Sequence, residues 1–196
     1  MSGRNIIKKG VIKMNSQKTD IYQKKVIPYF RKKLGFRNNL AIPKIEKIVI
    51  NAGIGKKLIE NRNFLEIAAV DLAKISGQKP KIIKSKRAIS GFKLKKGAEV
   101  GLMVTLRGKR MNDFLIKLIN IVFPRIRDFK GIKETALDQS GNLNIGIAEQ
   151  IVFPEIKQDQ LVKAHSFQIN IVTNAKDKNQ AKKLFQQLGF IFAQKQ

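Results

Sequence analysis

The clearest pattern in the chain is an alternation between residues 100 and 107, in which every second residue is a large aliphatic one. The even positions, from Val100 to Leu106, are all apolar, whereas the odd positions include Thr105 and Arg107. Because successive side chains of a strand point to opposite sides, this pattern predicts a strand with one buried face. The other face of that strand is then available for binding.

Four further segments show strand patterns: residues 45–51, 81–85, 143–147 and 166–173. In the first of them, Ile48 and Ile50 face one way and Asn51 faces the other. In the last, apolar positions alternate with Gln168 and Asn170. One-sided alternation of this kind is typical of a sheet that packs one face on a core.

Apolar residues that recur at helical spacing predict four helices. These helices cover residues 19 or 20 to 35, 64 to 76, 111 to 122 and 177 to 188. Pro28 is a candidate kink in the first helix, and Pro124 is expected to end the third. Gly77 and Gly189 are expected to end the second and the fourth.

This mixture of helices and strands indicates the α+β class. We expect a single, mostly antiparallel β-sheet with helices packed on one face and a long basic loop between two strands. No repeat or linker divides the sequence, so residues 19–193 are expected to form one domain. Residues 1–18 are expected to be a basic N-terminal extension, and residues 194–196 a short polar tail. The long irregular region of residues 125–143 is a candidate functional surface.

Charge is the strongest signal in the composition. The 196 residues hold 40 Lys and Arg against 14 Asp and Glu, which gives a formal net charge of +26. A small domain needs only a single-digit net charge to stay soluble, so a polyanionic partner explains the excess. The hydrophobic share of 43% argues against a disordered basic tail. These values together favour a folded protein that binds nucleic acid.

The cations are densest around the loop between two predicted strands. Residues 75–97 contain no acidic residue, and their cations are Lys79, Lys81, Lys84, Lys86, Arg87, Lys93, Lys95 and Lys96. Such a loop can neutralise RNA phosphates and release their counterions. A merely solvated loop is the alternative. Phe92, inside the loop, either stacks on a base or packs the loop against the sheet.

Candidate catalytic and cofactor sites are weak. The chain has no Cys and a single histidine, His165, whose neighbour Ser166 would face the opposite way in a strand. The glycines of residues 51–57 fit neither a phosphate-binding loop nor a dinucleotide fingerprint. We interpret them as a turn that brings backbone and Lys56 close to an RNA phosphate. We therefore expect no enzyme activity, no cofactor, no metal site and, for lack of a long apolar run, no membrane span.

The first 18 residues are basic and loosely amphipathic. They resemble a mitochondrial targeting segment, although they are rich in Lys rather than in Arg. The alternative, slightly favoured, is a basic arm that stays on the mature protein and binds RNA. Ile, Lys, Asn and Phe are plentiful and Trp is absent, a bias that AT-rich codons produce in many organellar or reduced bacterial genomes.

Four ordered motifs carry a family resemblance. They are residues 75–80 with 85–93, Val104–Met111, Pro124–Gly131 and Glu149–Ile156. Over roughly residues 19–192, the chain closely resembles large-subunit ribosomal protein five of the bacterial type. The resemblance implies a non-enzymatic component of the central protuberance of the ribosome, which holds the 5S ribosomal RNA (rRNA) against the large-subunit rRNA.

The resemblance also implies which residues contact each partner. The positions expected to bind 5S rRNA are Asn51, Lys56, Gln78, Lys79, Thr105, Arg107 and Arg110. The positions expected to contact the transfer RNA (tRNA) of the peptidyl site are Lys84, Lys86, Arg87, Phe92, Lys93, Lys95 and Lys96. The positions expected to bridge to protein thirteen of the small-subunit head are Lys130, Lys133, Asp138 and Asn142.

The expected partners are thus 5S rRNA, large-subunit rRNA, peptidyl-site tRNA, protein thirteen of the small-subunit head and neighbouring ribosomal proteins, without a homo-oligomer. The N-terminal segment and the codon bias favour a mitochondrial ribosome, with a plastid or the bacterial cytoplasm as alternatives. A free-standing RNA-binding assembly factor would share the charge and the fold, and it is the alternative function.

Overall fold

The computed structural model of the protein describes residues 22–54, 64–88, 95–156 and 164–193. In these residues the chain forms an open five-stranded antiparallel sheet with helices, which confirms the predicted α+β class. The strands are β1 (Ile45–Gly53), β2 (Lys81–Lys84), β3 (Glu99–Leu106), β4 (Leu143–Ile147) and β5 (Phe167–Thr173). Their order across the sheet is β2-β3-β1-β5-β4.

The helices are α1 (Ile27–Leu34), α2 (Phe64–Ser76), α3 (Gly108–Lys117) and α4 (Lys178–Leu188). A π-helical turn, Tyr22–Val26, precedes α1. Pro28 lies in the first turn of α1, directly after this π-helical turn. Gly77 and Gly189 follow α2 and α4 with positive φ, as the sequence predicted.

The third helix continues further than the sequence predicted. After α3 the chain takes a π-helical turn, Leu118–Val122, and then a last α-helical turn, Phe123–Arg125. The prediction that Pro124 ends this helix was wrong, because helical backbone continues through Pro124 to Arg125. Arg107 does not close β3 but is the N-cap residue of α3, since Gly108, at φ +56°, turns the chain there.

The predicted alternation of burial is confirmed for β1, β3 and β5, whereas β2 buries none of its residues. On β1, Ile48 and Ile50 are buried, whereas Val49 and Asn51 are partly exposed. The alternate positions of β3 and β5 follow the same rule, with apolar side chains on the buried face. Packing of α2 against β3 covers part of that buried face.

Two compact units make up the described residues. The first unit takes residues 22–47, 107–144 and 171–193, and Phe30, Phe114 and Phe185 belong to its core. The second unit takes the described parts of residues 48–106 and 145–170, and Ile50, Leu72 and Leu102 belong to its core. The expectation of one domain over residues 19–193 stays a prediction. The expected extension, residues 1–18, and the expected tail, residues 194–196, lie outside the described residues.

Strands β1 and β3 approach each other closely at Gly101. This residue lies opposite Gly53, and a Cβ at its position would be 2.8 Å from the Ala52 carbonyl oxygen. Only glycine fits so close to a neighbouring backbone. The same register sets Asn51 opposite Met103 and Val49 opposite Thr105.

Candidate nucleic-acid interface

A row of side chains crosses four strands on the partly exposed face of the sheet. Lys81 of β2 lies opposite Met103 of β3, which in turn lies opposite Asn51 of β1. Asn51 donates a hydrogen bond from Nδ2 to Oδ1 of Asn170 on β5, at 3.1 Å. Directly opposed residues of an antiparallel pair share a face, so these four side chains form one row, here called the polar row.

The polar row combines three kinds of chemistry. Lys81 is exposed and carries a positive charge that can contact a phosphate. The amides of Asn51 and Asn170 contain both hydrogen-bond donors and acceptors. Met103 adds a polarizable apolar surface between them. Such a face suits folded RNA, which presents phosphates, base edges and 2′-hydroxyls together.

Thr105 and Gln78 lie beside the polar row. Thr105 is two residues from Met103 on β3 and therefore lies on the same face. Gln78 donates from Nε2 to the Thr105 carbonyl oxygen at 3.4 Å, and its own N–H donates to Ser76 Oγ at 3.3 Å. These bonds hold the segment after α2 against β3. The structure thus brings together Asn51, Gln78 and Thr105 of the predicted RNA-binding set, and Lys79 next to them is exposed.

Two arginines of the same predicted set belong to the first unit. Arg107 is exposed at the N-cap of α3, and Arg110 is exposed in the first turn of that helix. Their contact with an RNA bound on the sheet face stays a prediction. Lys56 lies outside the described residues.

The basic loop closes at its base as a β-hairpin does. The Ser85 N–H donates to the Ala98 carbonyl oxygen at 2.7 Å, and the Gly97 N–H donates to the Ser85 carbonyl oxygen at 2.9 Å. These bonds continue the pairing of β2 and β3 past the ends of both strands. The predicted contact residues that the structure describes here are all exposed: Lys84, Lys86, Arg87, Lys95 and Lys96. Phe92 and Lys93 lie outside the described residues.

Residues 130–144 contain two exposed cations and a pair of hydrogen-bonded polar side chains. Lys130 and Lys133 are exposed. Asp138 accepts hydrogen bonds from the Asn142 N–H at 2.7 Å and from Asn142 Nδ2 at 3.0 Å. Asn142 Oδ1 accepts the Thr173 N–H at 3.2 Å. The side chains of Asp138 and Asn142 therefore fasten this turn to the end of β5, whereas the two lysines point to solvent.

Sequence reasoning missed Lys81 and Asn170 as members of the polar row. Both fell on predicted strands, but the pattern of one strand does not tell which strand lies beside it. Only the order β2-β3-β1-β5 places Lys81 and Asn170 in line with Asn51 and Met103. The available signal was the alternation of Gln168 and Asn170 with apolar positions on one predicted strand.

The single histidine lies in the core of the second unit. His165 is buried, and its ring contacts the rings of Phe64 and Phe167 edge to face, at centroid distances of 5.7 and 4.8 Å. Its backbone N–H donates to Gln150 Oε1 at 2.7 Å. Among the described residues, no three His, Asp or Glu side chains cluster as metal ligands would. In the same residues we find no helix with the length and apolar character needed to cross a membrane.

Comparison with known proteins gives consistent matches along most of the chain. The family model for ribosomal protein L5 matches residues 38–95, and the model for the C-terminus of the ribosomal L5 family matches residues 99–192. Large ribosomal subunit protein uL5 of Thermoanaerobacter sp. is 47% identical over 172 residues, which cover 88% of this chain and 96% of that protein. The uL5 of Carboxydothermus hydrogenoformans is 42% identical over 174 residues, covering 89% of this chain and 97% of that protein. The uL5 of Kosmotoga olearia is 47% identical over 171 residues, covering 87% and 93%.

Proposed function

Since this chain belongs to the ribosomal protein L5 family, we propose that it binds 5S rRNA through the polar row and attaches that RNA to the rRNA of the large subunit. Family membership confirms the resemblance carried by the four sequence motifs. The chain is a structural constituent of the large ribosomal subunit, and the family is one of structural proteins rather than enzymes.

The observation that carries 5S binding is the polar row together with Thr105 and Gln78. These side chains lie on one partly exposed face, and the hydrogen bond between Asn51 and Asn170 orients two of them. Cations supply affinity that depends on salt, because binding releases counterions from the RNA. The amides and the threonine supply shape and hydrogen-bond fit to one RNA surface.

The basic loop contacts the tRNA of the peptidyl site. Exposed cations flank its hairpin base, which is held by the bonds of Ser85 to Gly97 and Ala98: Lys84, Lys86, Arg87, Lys95 and Lys96. A supported loop loses less conformational entropy on binding than an unsupported one. The tRNA backbone offers the phosphates that such cations bind.

Residues 130–144 form the bridge to protein thirteen of the small-subunit head. Lys130 and Lys133 are the contact residues, because both are exposed. Asp138 and Asn142 act as positioning residues, since their side chains bond to each other and Asn142 Oδ1 also accepts the Thr173 N–H.

The substitution Arg107→Ala tests the proposed 5S surface. In a mobility-shift assay with 5S rRNA, we expect its affinity to fall by about tenfold or more, because a hydrogen bond to a charged group is worth ~1.5–3 kcal/mol. Arg127→Ala, at another exposed arginine, is the matched control and should bind as the wild type does. Unchanged affinity of a folded Arg107→Ala variant would remove Arg107 from the surface.

Two further measurements address the setting of this function. A ribosomal constituent stays with large subunits through a high-salt wash, whereas an assembly factor leaves them.

The intact mass of the chain from purified ribosomes tests in which compartment the ribosome works. Cleavage within residues 1–18 would support the expected mitochondrial ribosome. An uncleaved chain would fit synthesis inside an organelle or in the bacterial cytoplasm, and the bacterial cytoplasm fits the bacterial relatives.

A further inference from the structure

The first unit contains a pocket of about 260 Å³ that none of the contacts proposed above uses. Ile45, Met111 and Leu188 form its apolar lining. Sites for drug-sized ligands are usually larger than about 300 Å³, so this pocket suits one small flat group, such as a single nucleobase.

The polar lining of the pocket consists of Tyr22, Gln23, Lys44 and Asn112. Tyr22 is fixed in place, because its hydroxyl donates to the Pro43 carbonyl oxygen at 3.1 Å. The backbone of Lys44 is fixed as well: its N–H donates to Asn174 Oδ1 at 2.6 Å, and its carbonyl oxygen accepts the Asn174 N–H at 3.2 Å. A rigid aromatic ring and two nearby amides are the groups that proteins use to stack on an unpaired base and to bond its edges.

The segments that supply this lining are strongly cationic. Residues 22–47 contain eight Lys and Arg and one acidic residue, Glu46. Residues 107–112 add three more cations, Arg107, Lys109 and Arg110, and no acid. Lys24 and Lys25 directly follow Gln23 and are exposed. This charge favours a polyanionic occupant over an amino-acid side chain of a neighbouring protein.

We propose that the pocket receives one unpaired nucleobase of the large-subunit rRNA while the surrounding cations hold its flanking phosphates. The base stacks on Tyr22 and contacts the Met111 side chain, and the amides of Gln23 and Asn112 bond its edge. This inference rests on the proposed function, because a protein that attaches 5S rRNA to the large-subunit rRNA needs a second RNA surface besides the polar row.

Methionine methyl groups can report on both surfaces in one spectrum. The chain has four Met, of which Met103 lies in the polar row and Met111 lines the pocket. The full chain would be labelled at the Met methyl groups for NMR. The variants Met103→Leu and Met111→Leu each remove one signal and so assign it. Transcripts that together cover the large-subunit rRNA should shift the Met111 signal upfield, because a stacked base exerts a ring current. A 5S rRNA transcript should shift the Met103 signal.

Filling the pocket tests the same point by affinity. Asn112→Phe should weaken binding of the transcript that shifts Met111 by about tenfold or more, since one stacked base contributes ~1–3 kcal/mol. Its affinity for 5S rRNA should stay unchanged. Asn120→Phe, at an exposed asparagine beyond α3, is the matched control. Gln23→Phe, at an exposed lining residue, repeats the test if Asn112→Phe does not fold.

The outcomes separate the pocket from the 5S surface. A Met111 signal that no transcript shifts, or that shifts only when other large-subunit proteins are added, overturns the pocket assignment. Equal affinities of Asn112→Phe, Gln23→Phe and Asn120→Phe for the transcript also overturn it. If Met111 responds to the large-subunit rRNA but Met103 does not respond to 5S rRNA, the pocket stands and the 5S surface fails.

Discussion

Asn51 donates a hydrogen bond from Nδ2 to Oδ1 of Asn170, at 3.1 Å, across the partly exposed face of the sheet. The bond defines which end of each amide is the donor and which is the acceptor at this contact. Two amides that orient each other offer RNA a defined pattern instead of two independently rotating groups. This is why the pair, and not either residue alone, is central to the proposed 5S surface.

Asn170→Asp should change the charge of the polar row while it keeps the hydrogen bond from Asn51. The new carboxylate keeps the acceptor oxygen for Asn51 but repels phosphates, so we expect 5S rRNA affinity to fall by about tenfold or more. A mobility-shift assay at fixed salt measures the change. Asn179→Asp, at an exposed residue in the first turn of α4, is the matched control and should bind as the wild type does. Wild-type affinity of Asn170→Asp would argue against contact between the polar row and the RNA.

Neutralising Lys93, Lys95 and Lys96 together should affect a different RNA. We expect 5S rRNA binding to persist and the contact with peptidyl-site tRNA in assembled ribosomes to weaken. Each phosphate contact contributes about one unit to the slope of log affinity against log salt, so the slope for tRNA should become shallower by about three. Crosslinking yield and tRNA affinity measured over a salt series would check this.

The control variant is Lys176→Ala, at an exposed lysine that is far from the basic loop in the sequence. That variant should leave tRNA affinity and its salt slope unchanged. Loss of 5S rRNA binding in the triple variant would instead assign the basic loop to 5S rRNA.

The sequence predicted every strand of the sheet, and β1, β3 and β5 show the alternate burial that the patterns predicted. It could not predict which strands are neighbours, since alternation is a property of one strand at a time. Asn51 and Thr105 were therefore found as polar-face residues, whereas the alignment of Lys81 and Asn170 with them required the strand order.

Local polar contacts were the second limit of sequence reasoning. Asp138 and Asn142 were predicted as bridge contacts, and in the structure Asp138 accepts two hydrogen bonds from Asn142, whose own Oδ1 accepts the Thr173 N–H. Asp and Asn in turns often bond nearby backbone groups, and a residue list alone does not show whether a given carboxylate does so. The third helix continued past Pro124 for a different reason. The apolar pattern does not show the π-helical turn that directly precedes the last turn of this helix.

Asp138→Ala should therefore reduce stability. The substitution removes the acceptor of two Asn142 hydrogen bonds, and we expect the free energy of unfolding to fall by about 1–3 kcal/mol. Urea unfolding measures this. Gln139→Ala, at the exposed neighbouring residue, is the control and should change stability by less than about 0.5 kcal/mol. Unchanged stability of Asp138→Ala together with weaker subunit association would indicate a direct bridge contact instead.

Gly101→Ala should disturb the register on which the polar row depends. Its Cβ would lie 2.8 Å from the Ala52 carbonyl oxygen, so β1 and β3 must move apart, at a cost of about 1–3 kcal/mol in the free energy of unfolding. We also expect weaker 5S rRNA binding, because Asn51 and Met103 belong to the same strand pair. Gly146→Ala, at an exposed strand glycine with nothing within 4 Å of the added Cβ, is the matched control. Equal unfolding midpoints of the two variants would show that the strands accommodate the methyl group.

Tyr22 should make stability depend on pH in the alkaline range. Burial raises the pKa of its hydroxyl, whereas an unfolded tyrosine titrates near about 10. Above about pH 10 the unfolded chain releases this proton and the folded chain retains it, so the contribution is complete below that pH and is lost as pH rises through the folded pKa. Tyr22→Phe should therefore lose less stability between pH 9 and pH 11 than the wild type, as measured by urea unfolding. The same pH dependence in the wild type and in Tyr22→Phe would mean that the Tyr22 hydroxyl is not held protonated beside the pocket.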